Sequence, residues 1–252
     1  MIGAIIQARM GSTRLPGKVM KEVLGKPLIY YLLERLKYSG LIKKIVVATT
    51  DQPGDTVIKE YVESLGIEVF CGSQSDVLDR YHGAAKKYGI DPVIRITSDC
   101  PLLDPEIVDA IISFYLDNPG YDLVHTGPSY PEGLDMEIFP FASLDEAWKK
   151  ADLESEREHV TAYIWKRKAD FKIKTMEMEE DLSSLRITVD EEADFNLVKQ
   201  VFEKIYKPGK IFSLNDVLKL RYSEPGMFNI NKNIIRNEGY LKSLKKDKKI
   251  ER

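Results

Sequence analysis

Cysteine is scarce. Cys71 and Cys100 are the two among 252 residues, too few for a disulfide framework and without the spacing of a zinc site, which fits a reducing cytosol and sets the expectation of a cytoplasmic protein. Long apolar runs are missing as well: the opening Met1-Ile2-Gly3-Ala4-Ile5-Ile6 stops at Gln7 and Arg9, too soon for a signal peptide or a membrane span, so no membrane partner is expected. Neither sign of charge dominates. Lys and Arg number 37 against 40 Asp and Glu, a formal charge of −3, which offers no overall electrostatic footprint for nucleic acid. Internal repeats and low-complexity tracts are absent. What remains, 43% apolar and 31% charged residues, describes a soluble globular chain whose core needs no staples.

That length lies near the upper limit for a single core, and one domain carrying an excursion is the favoured arrangement over two small domains. Short β-branched runs at residues 2–6, 45–49, 68–71 and 93–97 alternate with helical patterns at 28–38, 57–65 and 77–88, which implies a parallel sheet covered by helices on both faces. Asp104-Pro105-Glu106 supplies an N-cap, a proline in the first turn and an acid at the positive end of a further helix over 107–116. From about Tyr121 the rhythm breaks. Residues 130–139 read as extended, 144–168 as one or two helices, and 171–178 as a strand, an excursion spanning 121–178. Residues 186–189 resemble a returning strand that closes the sheet, followed by helices at 191–206 and 215–222. The domain is thus expected to occupy 1–223, with 224–252 a polar, solvated extension frayed at its basic end.

The loop Gln7-Ala8-Arg9-Met10-Gly11-Ser12-Thr13-Arg14-Leu15-Pro16-Gly17-Lys18 follows the first strand directly. Gly11 lets backbone approach an anion, Ser12 and Thr13 can donate hydrogen bonds, and Arg14 with Lys18 can offset the charge of a triphosphate. The carboxyl end of a strand is where open α/β sheets bind ligands. A Walker A loop would need glycine where Ser12 stands and Ser or Thr where Val19 stands, and no G-x-G-x-x-G follows the strand, so both of those nucleotide signatures are excluded. The bland alternative is a basic surface turn.

Carboxylates follow two other strands. Asp99 comes just after 93–97 and would project from the edge that bears the loop; a hard oxygen ligand there suits Mg²⁺, although an Asp before Pro101 also suits a turn. Asp190 ends 186–189 and is equally placed to cap the next helix. Asp135 and Glu137, two apart in an extended segment, share one face, turned either into a binding site or to solvent. Glu156, Arg157 and His159 fall within one helical turn, as surface ion-pair clusters commonly do. The two cysteines read as small buried residues rather than nucleophiles.

Four passages carry a family resemblance: the loop; Phe70-Cys71-Gly72-Ser73 with Asp76-Val77-Leu78-Asp79-Arg80-Tyr81; Arg95-Ile96-Thr97-Ser98-Asp99-Cys100-Pro101-Leu102; and Glu156-Arg157-Glu158-His159-Val160-Thr161. Together they resemble the cytidylyltransferases that activate acidic sugars, the CMP-Kdo and CMP-sialic acid synthetases, and over nearly the whole chain the spore-coat polysaccharide biosynthesis protein F group. The resemblance implies a Rossmann-like nucleotide-diphospho-sugar transferase fold of the GT-A type, a mixed, mostly parallel sheet flanked by helices. It also implies transfer of CMP from CTP to a small anionic acceptor, in polysaccharide biosynthesis, by a homodimer. Under it Asp99 and Asp190 become ligands of Mg²⁺; Ala8, Arg9, Gly11, Ser12, Thr13, Arg14 and Lys18, with Gly72, Ser73 and Asp76, contact the nucleotide; and Arg14, Lys18 and Asp99 carry catalysis. Asp135, Glu137, Glu156, Arg157 and His159 become acceptor or subunit contacts. A nucleotidyltransferase for another NTP, a GT-A glycosyltransferase releasing a nucleoside diphosphate, and a nucleotide-binding module without turnover are the rivals.

Overall fold

The structure, a computed structural model, describes residues 1–245 and 247–250. Lys246, Glu251 and Arg252, part of the basic end, lie outside the described residues. In chain order the elements are β1 (Gly3–Gln7), a small hairpin β2 (Glu22–Val23) and β3 (Lys26–Pro27), α1 (Leu28–Leu36), β4 (Lys44–Thr50), α2 (Thr56–Ser64), β5 (Glu68–Gly72), α3 (Val77–Tyr88), β6 (Val93–Thr97) and α4 (Pro105–Asp117). Then come β7 (Leu123–Thr126), β8 (Glu137–Phe139), α5 (Phe141–Lys150), α6 (Glu154–Glu158), α7 (Ala162–Lys166), β9 (Ile173–Met176), α8 (Glu192–Ile205), α9 (Leu214–Ser223) and α10 (Glu238–Lys245).

One mixed sheet of seven strands runs β5-β4-β1-β6-β8-β7-β9. The first four strands are parallel, β8 enters antiparallel against β6, and β9 pairs parallel with β7 at the edge. The alternation of side chains along each strand divides the core in two. Ala4 and Ile6 of β1, Val47 of β4 and Ile96 of β6 join α1, α2, α4, α8 and α9 on one face, while Ile5, Val46 and Val93 join α3, α5 and α7 on the other. Each fully buried Ile or Leu in these layers stabilises the fold by about 1.5–3 kcal/mol, which is why strands buried on both faces read as continuous β-branched runs. Helix ends follow the capping residues: the Asp76 carboxylate accepts from the Asp79 amide at the start of α3, Gly89 ends it at φ 62, and Asp104 caps α4.

Several expectations for the second half change. The segment 121–178 does not leave the sheet but adds β7, β8 and β9 to it. Most of 130–139 is irregular, with a strand at Glu137–Phe139, and 144–168 holds parts of three helices rather than one or two. Residues 186–189 are extended and buried, yet they are no strand of the sheet. Their neighbours are loops: Ile187 N donates to Glu132 O at 2.7 Å and Val189 N to Asp99 O at 2.8 Å. Asp190 does not cap α8; Glu191 does, in a reciprocal pair with Asp194. The stretch 231–243, within the extension expected to be solvated, is docked: Asn231 is 2% exposed, and α10 lies against residues of the loop and of α6. No helix among the described residues is long and apolar enough to cross a membrane.

The turn over 131–134 touches the 186–189 segment so closely that position 133 tolerates only glycine. Gly133 has φ +112, and a Cβ there would lie 2.5 Å from Thr188 N and 2.6 Å from Ile187 C, both backbone. Gly133→Ala should therefore cost at least about 2 kcal/mol, from backbone strain together with overpacking. Urea unfolding measures it, and a change below about 0.5 kcal/mol, within the range of ordinary surface substitutions, would show that the two segments separate freely.

Candidate active site

The loop after β1 leaves the sheet between β4 and β6, because Gln7 pairs with Ala48 on one side and Thr97 on the other. Its shape is set by short local bonds. Met10 N donates to the Asp55 carboxylate at 2.6 Å, Gly17 N returns to Met10 O at 2.9 Å, and Gly17 at φ 68 turns the chain into the short helical turn Lys18–Met20. Leu15 plugs the loop into the core, while Gly11 and Thr13 stand exposed at its tip and the space beside Gly11 is open. Ala8 is buried with its amide on Ala48 O, and Ser12 Oγ accepts from Leu15 N at 3.4 Å.

Lys18 Nζ is the meeting point of the site. It donates to Asp99 Oδ2 at 3.0 Å, Asp190 Oδ1 at 2.9 Å and the Val189 carbonyl at 2.7 Å. Burial works against the Lys18 ammonium, but the charges of Asp99 and Asp190 outweigh it and raise its pKa. Burial likewise pushes the Asp99 carboxyl up, and the Lys18 charge with a Thr97 hydrogen bond reverses this and holds it down at about 2. Arg14 Nη2 reaches the same Asp190 Oδ1 at 2.9 Å. The two cations of the loop and the two carboxylates thus form one cluster, drawn from positions 81 and 172 residues beyond Lys18. Two hard carboxylate oxygens converging on one point already filled by a cation fit Mg²⁺, which takes one or two protein carboxylates and completes its shell with phosphate and water.

Arg186 holds Asp190 in place. Its guanidinium is buried and binds Asp190 Oδ2 at 3.1 Å, both oxygens of Asp194 at 2.8 and 2.9 Å, and Glu132. Asp194 in turn accepts the backbone amides of Asp190 and Glu191, each at 3.0 Å. Burial disfavours the Arg186 cation, and the Asp194 and Glu132 carboxylates more than compensate and raise its pKa. Removing one member of such a buried ionic set leaves the others uncompensated, so it fixes geometry firmly.

The remaining candidates separate into two groups. Beside β5, Gly72 O accepts from Asp51 N and Ser73 Oγ from Asp76 N, while the Asp76 carboxylate, besides capping α3, binds Arg157 Nε at 2.8 Å. Arg157 is therefore turned towards the β5 loop and not to the solvent. Arg80, buried next to this loop, donates to Ser73 O, feels the charge of Arg9, and leaves Nε without a hydrogen-bond partner among the described residues. Beyond β6, Glu137 pairs with Arg95 at 2.8 Å and accepts from Thr161 and Trp165. Burial raises the Glu137 pKa, and Arg95 with these donors brings it below the ordinary value. Asp135 accepts from Gly133 N at 2.8 Å, and burial raises its pKa. His159 lies within the field of Arg95 and Glu137, and its Nε2 is buried with no hydrogen-bond partner among the described residues. Glu156, expected among the acceptor contacts, is 0% exposed and is spent on Arg167 at 2.7 Å and the Asp152 amide at 3.2 Å, so it shapes α6 from inside.

The family model described as cytidylyltransferase matches residues 3–234. The chain belongs to the cytidylyltransferase family. A cytidylyltransferase from Leptospira borgpetersenii has a solved structure that is 34% identical to this chain, covers 93% of it and 98% of its own length, and superposes with a TM-score of 0.87. Spore coat polysaccharide biosynthesis protein SpsF of Bacillus subtilis is 33% identical over 79% of this chain and 85% of its own. An uncharacterized protein of Methanocaldococcus jannaschii is 38% identical over 91% and 94%. The mixed, mostly parallel, Rossmann-like sheet is that of a nucleotidyltransferase, and the cluster around Lys18 lies at its carboxyl edge.

In this cytidylyltransferase the residues that escape sequence reasoning are those that act through others. Arg186, Glu132 and Asp194 carry no motif; the i to i+4 spacing of Arg186 and Asp190 is the one signal that marks them. Arg236, Glu238 and Tyr240, which the structure brings against Asp135, Arg14 and His159, sit in a polar stretch with no periodicity to single them out.

Burial depresses the His159 pKa from 6.5 to about 4, against the opposing pull of Glu158. Above about pH 6.5 the imidazole is neutral in both folded and unfolded chains, and its contribution to stability is intact. Between pH 6.5 and 4 the unfolded chain takes up a proton that the folded one refuses, so stability falls as pH falls. Melting temperatures recorded across that window should decline less steeply for His159→Gln than for the parent; equal slopes would show that His159 titrates freely in the fold.

Proposed function

We propose that this nucleotidyltransferase moves CMP from CTP to a small anionic acceptor, such as an acidic sugar, with Mg²⁺ and with release of pyrophosphate, in the biosynthesis of a surface polysaccharide. The observation that carries the proposal is the convergence of Asp99 and Asp190 on the ammonium of Lys18. Asp99 and Asp190 would hold Mg²⁺, which when bound offsets charge on the α-phosphate. Arg14 and Lys18 bind the β- and γ-phosphates and stabilise pyrophosphate as it leaves, so catalysis rests on positioning and electrostatics, with no protein nucleophile. An acceptor oxygen attacks the α-phosphorus in line, and the bond to the bridging oxygen on the pyrophosphate side breaks. Arg186 and Asp194 keep Asp190 in register for this, and the Asp76–Arg157 pair fixes the loop after β5 that would flank the nucleoside.

Membership of the cytidylyltransferase family supports CTP as donor. Support for a polysaccharide role comes from the likeness to SpsF.

The test is pyrophosphate release from each of the four NTPs against a panel of acidic sugars and phosphorylated metabolites. CTP should support turnover with an acidic sugar, and release from another NTP alone would reassign the donor. Asp99→Asn and Asp190→Asn keep the side-chain shape and remove a charge; because loss of even an outer partner of a metal ligand costs 10–100-fold, each should lower turnover by roughly 100-fold or more. Melts run alongside should show both variants folded, and near-normal turnover in either would remove that residue from the machinery.

A further inference from the structure

Residues beyond α9 form a strap across the site. Asn231 anchors it, donating to Arg186 O at 3.1 Å and Asp194 Oδ1 at 2.8 Å from a buried position. Arg236 then donates to the carbonyls of Pro128 and Tyr130, each at 2.9 Å, and approaches Asp135 at 3.4 Å, while Asn237 N donates to Glu132 at 3.0 Å. The first residue of α10, Glu238, meets Arg14 Nη1 at 3.3 Å. Further along, the Tyr240 ring stands edge-on to His159 at 4.9 Å and Ser243 donates to Glu158 at 3.0 Å. One short segment therefore touches the triphosphate loop at one end and the acceptor side at the other.

Two features make this contact exchangeable. Among the described residues of α10 none is buried, and Leu241 points 46% exposed to solvent, so the helix is held by polar and ionic contacts with little apolar area to lose on lifting away. Arg14, moreover, has both ends of its fork engaged by carboxylates, Nη2 on Asp190 at 2.9 Å and Nη1 on Glu238. A triphosphate that uses Arg14 competes with Glu238 for the guanidinium, and it brings several negative charges against the single one of Glu238.

We propose that Glu238 is an internal counter-ion of Arg14 that the triphosphate of the donor nucleotide displaces, releasing the strap from Asp135 and His159 and so opening the acceptor side only after the nucleotide is bound. This rests on the proposed function in one respect, that Arg14 receives the triphosphate. The strap is a device for ordered addition: donor first, acceptor second.

Hydrogen exchange over residues 237–245 and calorimetric titration with CTP and CMP test it in the full chain. CTP should raise exchange in that segment, and CMP, which lacks the β- and γ-phosphates, should leave it unchanged. Glu238→Gln should show the raised exchange with no nucleotide added and should bind CTP roughly two- to fivefold more tightly, the worth of a partly exposed ion pair, with CMP affinity unmoved. Lys242→Ala, which removes the partner of Glu238 within α10 without touching Arg14, should bind CTP as the parent does. Unchanged exchange with CTP bound, weaker CTP binding by Glu238→Gln, or an equal gain in Lys242→Ala would each overturn the proposal. Titrations with ATP, GTP and UTP keep the two readings apart: another NTP that binds and frees the strap overturns the preference for CTP but retains the counter-ion, CTP binding with the strap unmoved does the reverse, and failure of all four to bind overturns both.

Discussion

The ammonium of Lys18, held between Asp99 and Asp190, is the contact through which the rest of the site is organised. Two carboxylates at this separation repel one another strongly in a partly buried setting, and a cation between them converts that repulsion into attraction. The strand β6 delivers one acid, the extended segment before α8 delivers the other, and the loop after β1 delivers the cation. Each of these three pieces is fixed independently: β1 and β6 by their ladder, the loop by Leu15 in the core and Met10 on Asp55, and Asp190 by Arg186 and Asp194. The backbone that carries the cluster is consequently set before any ligand binds.

The first hundred residues were legible because their signals are local. β6 and α3 fall at the residues expected, since a strand buried on both faces has an unbroken apolar run, and α3 is bracketed by Asp76 and Gly89, residues whose backbone chemistry starts and stops helices. The loop after β1 was visible for the same reason. The later half resisted because its elements are decided by partners far away. β7, β8 and β9 have three or four residues each and exist because β6 offers an edge, whereas residues 186–189 have a strand's composition and find loops rather than a ladder beside them. Asp190 illustrates the limit: its position before a helix suggested a cap, but Glu191 performs that task with Asp194, and the Asp190 carboxylate is left for Lys18, Arg14 and Arg186.

The surroundings of Glu137 and His159 differ in character from those of Lys18. Around Lys18 the charges are close to balanced and partly accessible; around Glu137 and His159 they are buried, with Glu137 saturated by Arg95, Thr161 and Trp165 and His159 kept neutral. The buried nitrogens Arg95 Nε and His159 Nε2 have no hydrogen-bond partner among the described residues, a condition that costs free energy in a folded chain. Glu156, by contrast, lies in the same stretch of sequence and is held by the Asp152 amide and Arg167, so it belongs to the scaffold around α6.

The ion pair between Arg14 and Glu238 joins positions 224 residues apart, nearly the two ends of the chain. Synthesis proceeds from the amino terminus, so β1 and its loop leave the ribosome long before α10 exists. Throughout that interval the carboxyl edge of the young sheet carries its cationic loop without the strap, and Asp135 and His159 are uncovered. The strap joins the fold only once residues 231–243 have been made. A nascent chain that has not yet reached them would present the cluster around Lys18 with nothing from this segment laid over it.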